Sequence, residues 1–169
     1  NDWYSNPSLW IYRNLLGVKT ETNARMGMGN SAEFGCALGL FLKRSDADIV
    51  KYSTDHMVNQ FDGEWFDETD KVSGIALNLH NAIKEHFPEF GVPHLFQRYR
   101  RHNLDILDHP ITTVTDFEWE NMIVDTKATL AVPSKPREDH VRQQSLYSVL
   151  IGKPATLVYA SHKKSAVFE

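Results

Sequence analysis

The chain has 169 residues, a net charge of −4, a hydrophobic fraction of 41% and a single cysteine, Cys36. That length suits one α/β domain with a real core and is short for two. The charge argues against indiscriminate nucleic-acid binding, no apolar run spans a bilayer and no signal peptide is visible, and one thiol excludes both a disulfide framework and a cysteine-held zinc or iron–sulfur site.

The first residue is Asn rather than Met, so the N-terminus reads as trimmed or incompletely represented. Cys36 lies in an apolar helical stretch and reads as a small core residue, which points to a reducing, cytosolic setting. Charge is unevenly spread. From His94 onward there are ten Lys and Arg against nine Asp and Glu, and before it eight against thirteen. A local basic groove in the second half is permitted but not demonstrated.

In chain order, Asn6-Pro7-Ser8 with the following run to Gly17 predicts a short helix, capped by Asn6 with Pro7 in its first turn. A loop containing Gly27 and Gly29 follows. Asn30 to Arg44 reads as an amphipathic helix whose small residues Ala32, Gly35, Ala37 and Gly39 suggest a close neighbour. Asp46 to Phe61 and Glu68 to Phe87 are two more helices, the second closing near Pro88. Gly91-Val92-Pro93 is a turn. Strands then follow at Leu95–Leu107, Thr112–Trp119, Met122–Leu130 and Ala155–Ser161, with a further one at Ala166–Glu169. One helix, from Pro136 to before Gly152, interrupts them, with Val141, Leu146, Val149 and Leu150 as its packing face. The pattern predicts one α/β domain over 1–169, mainly helical to residue 90. From 94 on it predicts a central mixed sheet with one crossover helix.

The chemistry concentrates in two neighbouring strands. Ile111-Thr112-Thr113-Val114-Thr115-Asp116 ends on an acid, and Val124-Asp125-Thr126-Lys127 carries an acid and a lysine on one strand face. If Glu120-Asn121 is a two-residue turn, Trp119 pairs with Met122 and Asp116 stands opposite Asp125, with Cβ atoms about 4.5–5.5 Å apart. Two carboxylates that close repel unless a cation or a proton lies between them. The competing reading is a surface hairpin with ordinary charges. The apolar Val114, Ile123 and Val124 weaken it, because they make the strands look buried, where unpaired carboxylates are costly. On the crossover helix Gln143 and Tyr147 are four apart and share a face. They either position a ligand or orient Lys127, or they form a polar helix face with Tyr147 half-buried.

With these residues in hand, the chain resembles the PD-(D/E)XK nuclease superfamily, in its RecB-type and phage-exonuclease branches. The resemblance rests on Asp116, on Asp125-Thr126-Lys127, on Gln143-Gln144-Ser145-Leu146-Tyr147 and on Gly29-Asn30-Ser31-Ala32-Glu33. The opening Asn6-Pro7-Ser8-Leu9-Trp10-Ile11-Tyr12 is also similar to the start of RecB-type domains. The resemblance runs from Pro7 to about Tyr159 and is carried by short motifs in a fixed order. Two departures stand out. Relatives with an iron–sulfur cluster use four cysteines that are missing here, and the triplet acid is Asp125 rather than the commoner Glu.

The resemblance implies a restriction-endonuclease-like fold and hydrolysis of DNA phosphodiesters. Glu33, Asp116, Asp125 and the backbone carbonyl of Thr126 would hold Mg²⁺ or Mn²⁺, with one or two ions left open. Lys127 would orient or help deprotonate the attacking water and offset developing charge. Catalytic roles would then fall to Lys127, Asp116, Asp125 and Glu33. An exonuclease of bacterial or phage DNA recombination is implied, in a bacterial or phage-infected cytoplasm, with DNA as partner and a recombinase or single-strand-binding protein as a further one. A structure- or sequence-specific endonuclease and a catalytically silent DNA-binding module are the alternatives. Lys135, Arg137 and Arg142 surround the start of the Gln143/Tyr147 helix and could meet phosphates. Phe96 to His102 interleaves aromatics and bases as a strand-binding surface does, though a solvated strand face explains it as well. His140, one turn from Gln144, could be a site residue, though a surface histidine is the commoner reading, and Trp3, Trp10, Trp65 and Trp119 read as core or rim.

Overall fold

The computed structural model describes residues 23–169. The helix expected at Asn6–Gly17, the similarity at Asn6–Tyr12, and Trp3 and Trp10 lie outside the described residues. The described chain runs α1 (Ala24–Leu42), α2 (Asp46–Gln60), α3 (Thr69–His86), a 3-10 turn (Pro88–Phe90), β1 (Leu95–His102), β2 (Ile111–Glu118), β3 (Ile123–Ala128), α4 (Glu138–Ile151), β4 (Ala155–Ala160) and β5 (Ser165–Phe168). The expected α/β class with a mixed sheet is what is found. Five strands lie in the order β1-β2-β3-β4-β5. All neighbours are antiparallel except β3 and β4, which are parallel and joined by α4 as the crossover. No helix among the described residues is long and apolar enough to cross a membrane.

Helix α1 starts six residues earlier than expected. Asn23 caps it, its side chain accepting from the amide of Met26 at 3.0 Å, so Gly27 and Gly29 fall inside the helix rather than in a loop. Packing overrides their poor helix propensity. A Cβ at Gly27 would sit 2.5 Å from the ring of Phe61, and one at Gly35 would sit 2.7 Å from Cβ of Ser53. These glycines let α2 approach α1 closely. Ser45 caps α2 by accepting from the amide of Asp48, and α3 stops at Phe87 ahead of Pro88. Strand β1 ends at His102, short of the expected Leu107.

One core joins three helices to one face of the sheet. It contains Met28, Ala32 and Cys36 of α1, Ile49 and Met57 of α2, and Val72, Ile75, Leu79 and Ile83 of α3. These meet Phe117, Val124, Val158 and Ala160 of the sheet. Burying each large apolar side chain is worth about 1.5–3 kcal/mol, so this layer carries most of the stabilisation. Helix α4 differs. Its one fully buried residue is Gln144, while Val141, Leu146 and Val149 are exposed. The expected packing face is therefore wrong. The helix turns His140, Gln143, Gln144 and Tyr147 inward, because the strand surface it covers carries Asp125, Lys127 and the hydroxyl of Tyr159.

At the sheet's hairpin end, Glu118 is 3% exposed and accepts from Arg100 at 2.8 Å and from Lys153 at 2.6 Å. Burial pushes its carboxyl up, but the two cations outweigh this and hold it below the ordinary value. A group with a depressed folded pKa stabilises above its unfolded pKa, and that stabilisation is lost as pH falls through the folded value. Glu118→Gln is therefore expected to cost about 2 kcal/mol at neutral pH, measured by urea unfolding. The deficit should shrink as pH falls through the carboxylate range. An unchanged deficit at acid pH would show that shape, not charge, holds this corner.

Candidate active site

The β2–β3 hairpin has the expected register at its closed end. The amide of Trp119 donates to the carbonyl of Met122 at 2.9 Å, Glu118 pairs with Ile123, and Phe117 pairs with Val124. Continuing that register sets Asp116 across from Asp125. The backbone ladder stops at this point. The amide of Thr126, which regular pairing would give to β2 backbone, donates instead to Oδ2 of Asp116 at 2.7 Å, and the Thr126 hydroxyl donates to the same oxygen at 3.0 Å. The other side of β2 is interrupted as well. Pairing with β1 skips the step that would oppose Gln97 to Asp116, and Gln97 has φ 49°. Left-handed backbone at a non-glycine residue stores strain, which folds tolerate mostly at functional sites.

Asp125 is 4% exposed and forms an ion pair with Lys127. Its Oδ2 faces the ammonium but lacks a hydrogen bond of good geometry. Glu33 joins from α1, half-buried and close enough to feel both aspartates and the lysine. Burial, then Asp116 and Asp125, push the Glu33 carboxyl up to about 8. Burial and the charge of Asp116 push Asp125 up to about 7. Burial raises Asp116 too, against the hydrogen bonds from Thr126. Burial lowers Lys127, but Asp125, Asp116 and Glu33 outweigh it and leave the lysine above its usual value, an ammonium. The Thr126 hydroxyl has one proton to give. With that proton committed to Asp116, it relieves Glu33 only by proximity.

The donor set is all carboxylate oxygen, which suits a hard divalent cation. Among the described residues no group of three His, Cys, Asp or Glu side chains is already arranged to hold a metal ion. Asp125 is turned onto Lys127 and Asp116 onto Thr126. Three buried, mutually repelling carboxylates with raised pKa values nevertheless have the chemistry that such an ion would relieve.

The remaining sequence candidates divide. Gln143 donates to the hydroxyl of Tyr147 at 3.2 Å, and that hydroxyl accepts from the amide of Val114 at 3.4 Å. The pair therefore ties α4 to β2 near Asp116 and does not touch Lys127. Arg142 is exposed and paired with Glu138. Lys135 is exposed. Arg137 grips Asp139 and lines a cavity of about 300 Å³ together with Lys127, His140 and Tyr159. In β1, Arg98, Tyr99 and Arg101 are exposed. Phe96 instead packs on the core, Arg100 goes to Glu118 and His102 to Thr113. Cys36 is buried and so is Trp119, while Trp65 is exposed.

Gln144 was missed, and His140 was read more readily as a surface residue than as a site residue. Gln144, 5% exposed, holds the Asp125 carboxyl down by its nearby amide, yet neither of its amide atoms has a partner of good geometry. His140 is half-buried, not a surface residue, with Nδ1 2.6 Å from the hydroxyl of Tyr159. That hydroxyl also accepts from the amide of Arg137 at 3.2 Å. Burial, with help from Lys127, lowers the His140 pKa. The available signal was spacing, since His140 and Gln144 are four apart and share a helix face.

No family model matches the chain, and no curated protein matches it. Among solved structures it is similar to SSO0001, with a TM-score of 0.42 and 14% identity over 84% of this chain and 74% of that one. A likeness at that level carries no argument about function.

The carboxylates have folded pKa values above their unfolded ones. Their stabilisation is therefore present below the unfolded carboxylate pKa and is lost as pH rises through the folded values, about 7 for Asp125 and about 8 for Glu33. In chelator, the melting temperature is expected to fall across that window. Glu33→Gln should flatten the fall and melt higher than wild type at its alkaline end. Calorimetric melts of both proteins against pH check this, and parallel curves would refute it.

Proposed function

We propose that the protein is a divalent-metal-dependent nuclease hydrolysing DNA phosphodiester bonds, acting as an exonuclease in DNA recombination or processing. The observation that carries this reading is the convergence of Glu33, Asp116 and Asp125 on one ammonium, Lys127, with the acids' pKa values raised. Such a cluster is costly to fold around unless a cation or bound protons relieve it. Glu33, Asp116, Asp125 and the carbonyl of Thr126 would hold Mg²⁺ or Mn²⁺. When bound, the ion supplies the charge that polarises a phosphate and acidifies a water.

The chain's own residues supply the rest. Lys127, held as an ammonium by three acids, is a donor: it hydrogen-bonds a phosphoryl oxygen and offsets the charge that develops there. The backbone and hydroxyl of Thr126 fix the orientation of Asp116. Gln144 orients Asp125 from α4. Arg137 and the ring of His140, beside Lys127 in the 300 Å³ cavity, offer further polar contacts to the substrate backbone. The lack of a ready-made ligand group among the described residues favours the second reading, a catalytically silent DNA-binding module.

The test is incubation with end-labelled linear DNA and closed-circular DNA in Mg²⁺, Mn²⁺ or chelator. Linear DNA is expected to be degraded with metal only, and Lys127→Ala to slow this by about 100-fold or more. A Lys127→Ala protein as active as wild type would sink the proposal. Cleavage of closed circles would replace the exonuclease by an endonuclease, and absence of Mn²⁺ binding would select the silent module.

A further inference from the structure

A second cavity, of about 470 Å³, lies between the C-terminal half of α1, the start of α2 and the end of α3, and contains none of the site residues above. Its volume falls in the range of small-molecule sites, about 300–1,000 Å³. Along α1, Glu33 and Lys43 are ten residues apart, about 15 Å of helix, so the two sites are well separated.

Its lining is sorted by chemistry. Lys43, Arg44 and Lys84 are exposed cations along it, and none forms an ion pair with another described residue. Asp46 is the one acid among the lining residues. Lys43 takes the left-handed conformation, φ 51° and ψ 38°, as it caps α1. Leu40 and Phe87, both buried, supply apolar wall.

His80 closes the inner end. It is 6% exposed, and its Nδ1 is buried without a hydrogen-bond partner. The opposite edge of the ring is packed against α1, since a Cβ at Gly39 would lie 2.5 Å from Cδ2 and 2.9 Å from Nε2. Nδ1 has no surface open to the cavity, so the ring closes the inner end as wall rather than as a contact.

Excess positive charge at the mouth and an apolar aromatic wall together describe a ligand with an anionic head and a flat apolar body. We propose that this cavity binds a nucleoside monophosphate, with its phosphate on Lys43, Arg44 and Lys84 and its base against Leu40 and Phe87. The cavity's chemistry stands on its own; the choice of a nucleoside monophosphate rests on the nuclease reading, whose product class this is.

Calorimetric titration of the full chain in chelator tests it without engaging metal chemistry. The probes are deoxyadenosine monophosphate, inorganic phosphate and a short single-stranded oligodeoxynucleotide. The monophosphate is expected to bind saturably and more tightly than phosphate. The double variant Lys43→Glu, Arg44→Glu, at exposed positions, should weaken it by about tenfold or more. Glu33→Gln and Lys127→Ala should bind it as wild type does, whether or not either cleaves DNA, so failure here is distinct from failure of the nuclease reading. The proposal is overturned if the monophosphate does not bind or if phosphate binds equally well. It is also overturned if the double variant binds unchanged, or if only the oligonucleotide binds, which would make the patch a strand-backbone surface.

Discussion

Three carboxylates and one ammonium share a partly desolvated volume, and much of the sheet's irregularity follows from that. Fully ionised, the cluster would carry a charge of −2. Two like charges about 5 Å apart repel by about 3 kcal/mol at an effective dielectric of about 20, so one lysine cannot neutralise the group. Without metal the fold has one relief, to bind protons as pH falls, first on Glu33 and then, in competition with the Lys127 ion pair, on Asp125. A divalent cation would cancel the residual charge and displace those protons. On the proposed reading, such a site would give up stability at alkaline pH in exchange for affinity for a doubly charged ion.

The same constraint accounts for the broken ladders. A carboxylate in mid-sheet needs donors, and the nearest are the amide and hydroxyl of Thr126 on the next strand. Taking them costs β2 and β3 their regular pairing beyond Phe117–Val124, and on the other side β1 meets Asp116 with Gln97 in left-handed backbone. The sheet opens around Asp116 while the apolar layer beneath, with Phe117, Val124 and Val158, holds the strands in place. Rigid packing on one face permits electrostatic strain on the other.

How far the sequence was legible follows the reach of each signal. Local signals worked. The two-residue turn at Glu120-Asn121 set the closed end of the hairpin, and β-branched runs marked the strands. Signals decided by tertiary packing did not. Gly27 and Gly29 read as loop, but the ring of Phe61 takes the space that a side chain at Gly27 would fill, and the helix runs through. Apolar residues on α4 suggested a conventional packing face, yet the surface beneath is polar, so Gln144 and His140 went inward and Val149 outward. Gln143 was the nearer match to a motif spacing, and its neighbour is the one buried against Asp125. Glu33 was reachable only through the resemblance, since nothing local ties an acid on α1 to a hairpin over eighty residues away.

The protonation of Lys127 narrows what the site can do. A lysine acting as general base must be neutral near working pH, which burial favours and neighbouring acids oppose. Here the acids prevail. Metal bound to Asp116, Asp125 and Glu33 would draw off part of that negative charge and pull the lysine back down, because a divalent ion is the largest charge in the site. The role of Lys127 is thus tied to occupancy of the carboxylates. On the proposed reading it is their counter-ion while they are metal-free, and loading them would free its ammonium toward the cavity it lines with Arg137 and His140. One side chain would then link the state of the acids to the donors presented to a phosphate, with its ion pair to Asp125 as the resting arrangement.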